Sequence, residues 1–134
     1  MLENKWALVI EDDAHSLVAV SSILRDLGIR FKRNTTGADV LEQVRAMNPL
    51  PNVILLNIDL AHADAFGIQQ HLRGDSTAGD IPVIALVSSD DSSTRKRVQR
   101  EGFAGLTVKP LPRRRFADLL DRVLAGEQVW EAIH

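Results

Sequence analysis

The stretch VILLNIDLAHADAFG, residues 53–67, decides the fold of this chain. Its first four residues, Val53–Leu56, are apolar without interruption, which is typical of a parallel strand covered by helices on both faces. The run ends in Asn57, Ile58 and Asp59. The carboxyl end of such a strand is where an open α/β sheet places its ligand crevice. We therefore expect the functional site of this protein to lie around Asn57.

The composition of the chain is that of one soluble globular domain. The 134 residues are 45% hydrophobic and 25% charged, and the formal net charge is −2. This balance gives no indication of binding to nucleic acid or to an anionic membrane. The absence of cysteine excludes disulfides, thiolate metal sites and cysteine nucleophiles, and it fits a reducing compartment. No apolar stretch approaches the roughly 20 residues of a membrane span, and no secretory signal is apparent. We therefore expect a cytoplasmic protein.

A strand followed by a helix recurs five times along the chain. Apolar runs predict buried strands at Trp6–Ile10, Val53–Leu56, Ile81–Val87 and Ala104–Val108, and alternation over residues 29–32 predicts an edge strand. Apolar residues at helical spacing follow the first, second and fifth strands, and a short helix from about Ala65 to Arg73, capped by Asp64, follows the third. The helix after the fourth strand is polar, and Pro112 is expected at the first position of the last helix. This order requires parallel strands joined by right-handed crossovers. We predict a flavodoxin-like (βα)5 fold, a doubly wound five-stranded sheet of order 2-1-3-4-5 in three α/β/α layers. Residues 1–125 would form the domain and residues 126–134 a C-terminal extension.

Four polar side chains are expected to meet at one edge of this sheet. Glu11 and Asp12 follow the first strand, which neighbours the third strand and Asn57, and Lys109 follows the fifth strand. An oxygen-rich set of this kind suits Mg²⁺, and a lysine beside it supplies charge for an anion such as a phosphoryl group. The alternative is that the acidic residues are helix caps or solvated side chains.

At these residues the chain resembles the receiver domain of bacterial two-component response regulators. The resemblance is carried by LVIEDD, PNVILLNIDL, IPVIAL and GFAGLTVKPL, and it covers nearly the whole sequence. It implies that Glu11 and Asp12 hold Mg²⁺, and that position 57 is the place of the aspartate that accepts a phosphoryl group. It also implies a cis peptide at Lys109-Pro110 and a non-enzymatic role in phosphorelay signal transduction.

Three positions depart from the pattern of that family. The phosphoacceptor position is Asn57, the hydroxyl position at the end of the fourth strand is Val87, and the aromatic switch position is Leu106. An amide is a very poor nucleophile, and its lack of charge should weaken a magnesium site made of Glu11, Asp12 and Asn57. A valine cannot hydrogen-bond a phosphoryl oxygen, and a leucine has no polar tip. We therefore predict a pseudo-receiver that is not phosphorylated at the usual position and acts through protein–protein interaction.

Two alternative functions are a receiver that uses a surrogate phosphoacceptor and a phosphohydrolase. Asp59 lies two residues beyond Asn57 and is a candidate surrogate acceptor, and Ser88 beside Val87 is a candidate hydroxyl for the phosphoryl pocket. Adjacent residues of a strand face opposite sides, which makes a turn or capping role the plainer interpretation of Ser88. A phosphohydrolase with an Asp-x-Asp motif ranks last, because that motif would read Asn57-Ile58-Asp59 and would lack its nucleophile.

The expected partners are proteins rather than nucleic acid or membrane. The resemblance suggests a histidine kinase, another regulator or a second copy of this chain, bound at the face formed by the fourth helix, fifth strand and fifth helix. Those two helices carry clusters of basic residues, namely Arg95, Lys96, Arg97, Arg100 and Arg113–Arg115. We expect these clusters to be solvated surfaces, and the alternative is that they bind an acidic protein partner. The apolar residues of the extension, Val129, Trp130 and Ile133, either pack back on the domain or dock a partner or a second copy.

Overall fold

The computed structural model describes residues 2–130 and shows five strands alternating with five helices in that range. The strands form one parallel sheet of order β2-β1-β3-β4-β5, which confirms the predicted fold. The elements are β1 (Trp6–Ile10), α1 (Ala14–Asp26), β2 (Arg30–Asn34), α2 (Val40–Ala46), β3 (Val53–Asn57), α3 (Ala65–Arg73), β4 (Val83–Val87), α4 (Ser92–Arg100), β5 (Gly105–Val108) and α5 (Arg113–Leu124).

The sheet is covered by helices on both faces. Helices α1 and α5 pack on one face, and α2, α3 and α4 pack on the other. Every residue of β3 and β4 is buried, which explains their uninterrupted apolar sequence. Helix α4 buries only Val98, so that helix presents mostly polar side chains to solvent. No helix within residues 2–130 is long and apolar enough to cross a membrane.

The sheet register brings the predicted site residues to one edge. Ile10 of β1 lies beside Leu56 of β3, so Glu11 and Asn57 extend from neighbouring strand ends. Asp13 caps α1, since its carboxylate accepts a hydrogen bond of 2.8 Å from the backbone N–H of Ser16. The Lys109-Pro110 peptide is cis, as the resemblance implied.

The chain beyond α5 returns to the sheet. It turns at Gly126, where φ is +96°, and residues 127–130, the C-terminal segment, run along the outer edge of β5. Val129 forms a parallel bridge with Gly105, and its backbone N–H donates to the Ala104 carbonyl at 2.9 Å. The extension therefore packs back on the domain as far as Trp130. Ile133 lies outside the described residues.

Candidate functional site

The site is built around a buried amide between two carboxylates. The Asn57 side-chain nitrogen donates to Oε1 of Glu11 at 2.8 Å and to Oδ1 of Asp12 at 3.4 Å. Glu11 is fully buried, and Asn57 is only 2% exposed. The side chains of Glu11, Asp12 and Asn57 thus meet where the sequence predicts, at the carboxyl ends of β1 and β3.

The orientation of the Asn57 amide is determined by the turn that follows β3. Its oxygen accepts a hydrogen bond of 2.9 Å from the backbone N–H of Asp59. The opposite orientation would place the NH₂ group against that N–H and the amide oxygen against the carboxylates of Glu11 and Asp12. Both contacts would then be repulsive, so the nitrogen faces the acidic pair.

Lys109 neutralises the buried glutamate from the side of β5. Its ammonium nitrogen lies 2.7 Å from Oε2 of Glu11. The backbone N–H of Lys109 donates to the Val87 carbonyl at 2.8 Å, which holds the lysine at the end of the sheet. A fully buried carboxylate requires such a partner, because an unpaired charge inside a protein costs several kcal/mol.

Each oxygen of the acidic pair faces a nitrogen of the protein. In addition to the contacts above, Oε1 of Glu11 accepts from the Asp13 backbone N–H at 3.0 Å, and Oδ2 of Asp12 accepts from that of Ala61 at 2.8 Å. Mg²⁺ requires oxygen ligands around an open position, but here Asn57 presents a nitrogen to that position. With the amide in this orientation, Asn57 offers a magnesium ion no oxygen ligand. Within residues 2–130, no group of three or more histidine or acidic side chains is placed to hold a metal.

Asp59 and Ser88 form a separate contact at the exposed rim of the site. The Ser88 hydroxyl donates to Oδ2 of Asp59 at 2.8 Å, and the Ser88 backbone N–H lies 3.3 Å from the same oxygen. Asp59 touches the amide only through its backbone N–H to Asn57. Its carboxylate therefore belongs to the rim, whereas the buried Glu11 and the exposed Asp12 meet the side-chain nitrogen of Asn57.

The two remaining predicted positions are apolar and buried. Val87 and Leu106 are each 1% exposed and belong to the core beneath α2, α3 and α4. Neither side chain offers a hydrogen bond to an anion at the sheet edge. Leu106 is an aliphatic side chain, so β5 carries no aromatic ring at the place where the resembled family has its switch residue.

Several contacts of the site involve groups that the sequence does not single out. The backbone N–H groups of Asp13 and Ala61 complete the shell around the acidic pair. Backbone donors cannot be recognised from a pattern of residue types, whereas the position of Asp59 two residues after Asn57 indicated that Asp59 lies near the site. The pKa of Asp13 is held below its usual value chiefly by the Ser16 backbone N–H, which agrees with its role as a helix cap.

Comparison with known proteins points to one family. The sequence profile described as "Response regulator receiver domain" matches residues 7–121. The polar-differentiation response regulator DivK of Brucella ovis is 22% identical over 121 residues, which cover 90% of this chain and 97% of DivK. The sensor histidine kinase CheAY of Helicobacter pylori is 25% identical over 103 residues, or 77% of this chain, and this match spans only 13% of that kinase.

Solved structures show the same fold. The chemotaxis response regulator CheY4 of Vibrio cholerae superposes with a TM-score of 0.79 at 20% identity, covering 89% of this chain and 98% of CheY4. The receiver domain of the sensor histidine kinase PA1611 of Pseudomonas aeruginosa, solved with a magnesium ion in its active-site cleft, gives 0.80 at 21% identity, with coverage of 90% and 98%.

Proposed function

Because the chain belongs to the response regulator receiver domain family, we propose that it is a pseudo-receiver of two-component signalling. It is a cytoplasmic, non-enzymatic module that signals through protein contacts, and it is not phosphorylated at position 57. The observation that carries this proposal is the hydrogen bond from the Asn57 amide to the buried carboxylate of Glu11. The Asn57 side chain is a very poor nucleophile for phosphorus, because the amide oxygen carries only a partial charge and the nitrogen lone pair is delocalised into the carbonyl.

The metal site supports the same proposal. The receiver domain of PA1611 is described with a magnesium ion in its cleft. In this chain an N–H group of Asn57 points at both acids, and Lys109 already neutralises Glu11. We propose that these groups take the place of the cation, so that the acidic pair is stable without Mg²⁺ and binds it weakly.

The proposed partners are a histidine kinase, another response regulator or a second copy of this chain. The matched relatives include a sensor histidine kinase and a stand-alone regulator. We place the contact surface at the face formed by α4, β5 and α5. In this division of the chain, residues 1–125 are the receiver and residues 126–134 are an extension, of which residues 127–130 pack on that face.

The test is an intact-mass measurement after incubation with acetyl phosphate and Mg²⁺. The wild-type chain should keep its mass, whereas Asn57→Asp, which restores a carboxylate next to Glu11, should gain one phosphoryl group. A stoichiometric gain by the wild type would contradict the proposal. If peptide mapping located that group on Asp59, and Asp59→Ala abolished it, Asp59 would be the surrogate acceptor.

A further inference from the structure

The outer edge of β5 is covered by the chain itself. β5 is the last strand of the sheet, and an uncovered edge strand offers its N–H and C=O groups to any extended chain. Here the C-terminal segment, residues 127–130, pairs with the start of that edge through the bridge between Val129 and Gly105 and the hydrogen bond to Ala104. The segment is thus bound as an extended peptide would be.

Gly105 allows this close approach. A Cβ atom at position 105 would lie 3.1 Å from the Val129 carbonyl oxygen and 3.3 Å from Cδ1 of Leu119. The φ angle of Gly105 is outside the left-handed region, so its backbone conformation does not require glycine. A glycine inside a strand often marks a place where another backbone comes near, and at β5 that backbone is the C-terminal segment.

The side chains of the segment define what this edge recognises. Val129 is 1% exposed and packs in the core on the α5 side, together with Leu119 and Val123. Trp130 packs against the core on the opposite face of the sheet. The edge therefore takes an extended chain with an aliphatic residue followed directly by an aromatic one.

Two arginines add contacts on either side of β5. Arg122 of α5 pairs with Glu127 at 3.2 Å, and the guanidinium of Arg95 on α4 donates to the Trp130 carbonyl. The side chains of this pair are 31% and 50% exposed, so it contributes little to the binding energy of the segment. The bound segment therefore has the pattern of an acidic residue, one spacer residue, an aliphatic residue and an aromatic residue.

We propose that the face formed by α4, β5 and α5 is a docking groove for an extended peptide of this pattern, and that the chain fills the groove intramolecularly with residues 127–130. A partner that carries such a segment binds by replacing the chain's own. This inference rests on the proposed function, because it takes the same face as the contact surface, but it does not depend on whether Asn57 is phosphorylated. Since a short linker holds the segment at an effective concentration of the order of millimolar, a free peptide at micromolar concentration should not displace it.

The test uses a fluorescent peptide with the sequence of residues 126–134 and measures its binding by anisotropy. Wild-type protein should bind it at least about tenfold more weakly than Val129→Asp, a full-length variant whose own segment cannot bury its side chain. Adding Gly105→Ala to that variant should weaken peptide binding several-fold. Val18→Asp is the matched control, because Val18 is 70% exposed on α1, and it should behave like the wild type.

Two results would overturn the inference. One is equal binding of the peptide by wild type and Val129→Asp, and the other is no binding by a Val129→Asp variant that circular dichroism shows to be folded. If that variant does not fold, amide hydrogen exchange of the wild type decides: the Val129 amide should be protected, and Gly105→Ala should accelerate its exchange and leave α1 unchanged. An unprotected Val129 amide in the wild type would refute the proposal that the C-terminal segment is bound to β5. Failure of the proposed function would appear in the phosphorylation assay instead, which does not involve this peptide.

Discussion

Replacing Asn57 with aspartate should destabilise the protein in the absence of divalent cations. The new carboxylate oxygen would lie about where the amide nitrogen now is, 2.8 Å from Glu11 and 3.4 Å from Asp12. Two unit charges about 4 Å apart repel by about 4 kcal/mol at an effective dielectric constant near 20. Charge spreading over two oxygens and the Lys109 ion pair offset part of this repulsion, so we expect a loss of about 2–4 kcal/mol in the free energy of unfolding.

Magnesium should reverse this loss in the variant and leave the wild type unchanged. A ligand at about 100 times its dissociation constant stabilises the state that binds it by about 2.7 kcal/mol. Urea unfolding followed by circular dichroism, with NaCl and MgCl₂ at matched ionic strength, measures both effects. Asn52→Asp is the matched control, because Asn52 lies at the opposite end of the sheet, where its side-chain oxygen accepts a hydrogen bond from the Trp6 backbone N–H that a carboxylate can also accept. An Asn57→Asp variant as stable as the wild type without Mg²⁺, or an equal Mg²⁺ effect on both proteins, would refute this reasoning.

Substitutions at three other positions test the ion pair of the site, the core and the turn after α3. Lys109→Met should lower the free energy of unfolding by about 3–5 kcal/mol, because it leaves the buried carboxylate of Glu11 without its cation, and Lys109→Arg should lose less in the same urea titration. Phe103→Ala empties a fully buried position and should cost about 3–5 kcal/mol by the same measurement. Asp75 has a pKa below its usual 3.8, chiefly because its carboxylate accepts from the Ala78 backbone N–H. Its stabilisation is therefore present above pH 3.8 and is lost as the pH falls through the lowered pKa. In an acid titration, the difference in free energy of unfolding between wild type and Asp75→Asn should accordingly be smaller below the lowered pKa of Asp75 than above pH 3.8.

The sheet and its order were predictable from the sequence because burial on both faces leaves a strong signal. Val53–Leu56 and Trp6–Ile10 are apolar at every position, and strands of that kind fit only a parallel sheet covered by helices. The start of α5 differs by one residue from the prediction. Pro112 has an extended conformation with ψ of 102° and precedes the helix, which begins at Arg113.

The positions of the site residues were predictable, but their hydrogen bonds were not. Strand adjacency places Asn57 beside Glu11, and this follows from the fold. The direction of the amide depends on the backbone N–H of Asp59, which a turn supplies and no residue type reveals. In the same way, Gly105 within a strand indicates a close approach, but the sequence does not say that Val129 is the residue that approaches.

We propose that the Asn57 amide takes the place of a cation beside Glu11 and Asp12. NMR of the Asn57 side chain during a magnesium titration tests this most directly. The Asn57 NH₂ resonances should be protected from solvent exchange, because the nitrogen donates to a fully buried Glu11 carboxylate. They and the backbone signals of Asp12 and Lys109 should stay in place as Mg²⁺ reaches millimolar concentration. A saturable shift of these resonances, with loss of NH₂ protection, would show that the amide turns away to admit the ion and would contradict the account.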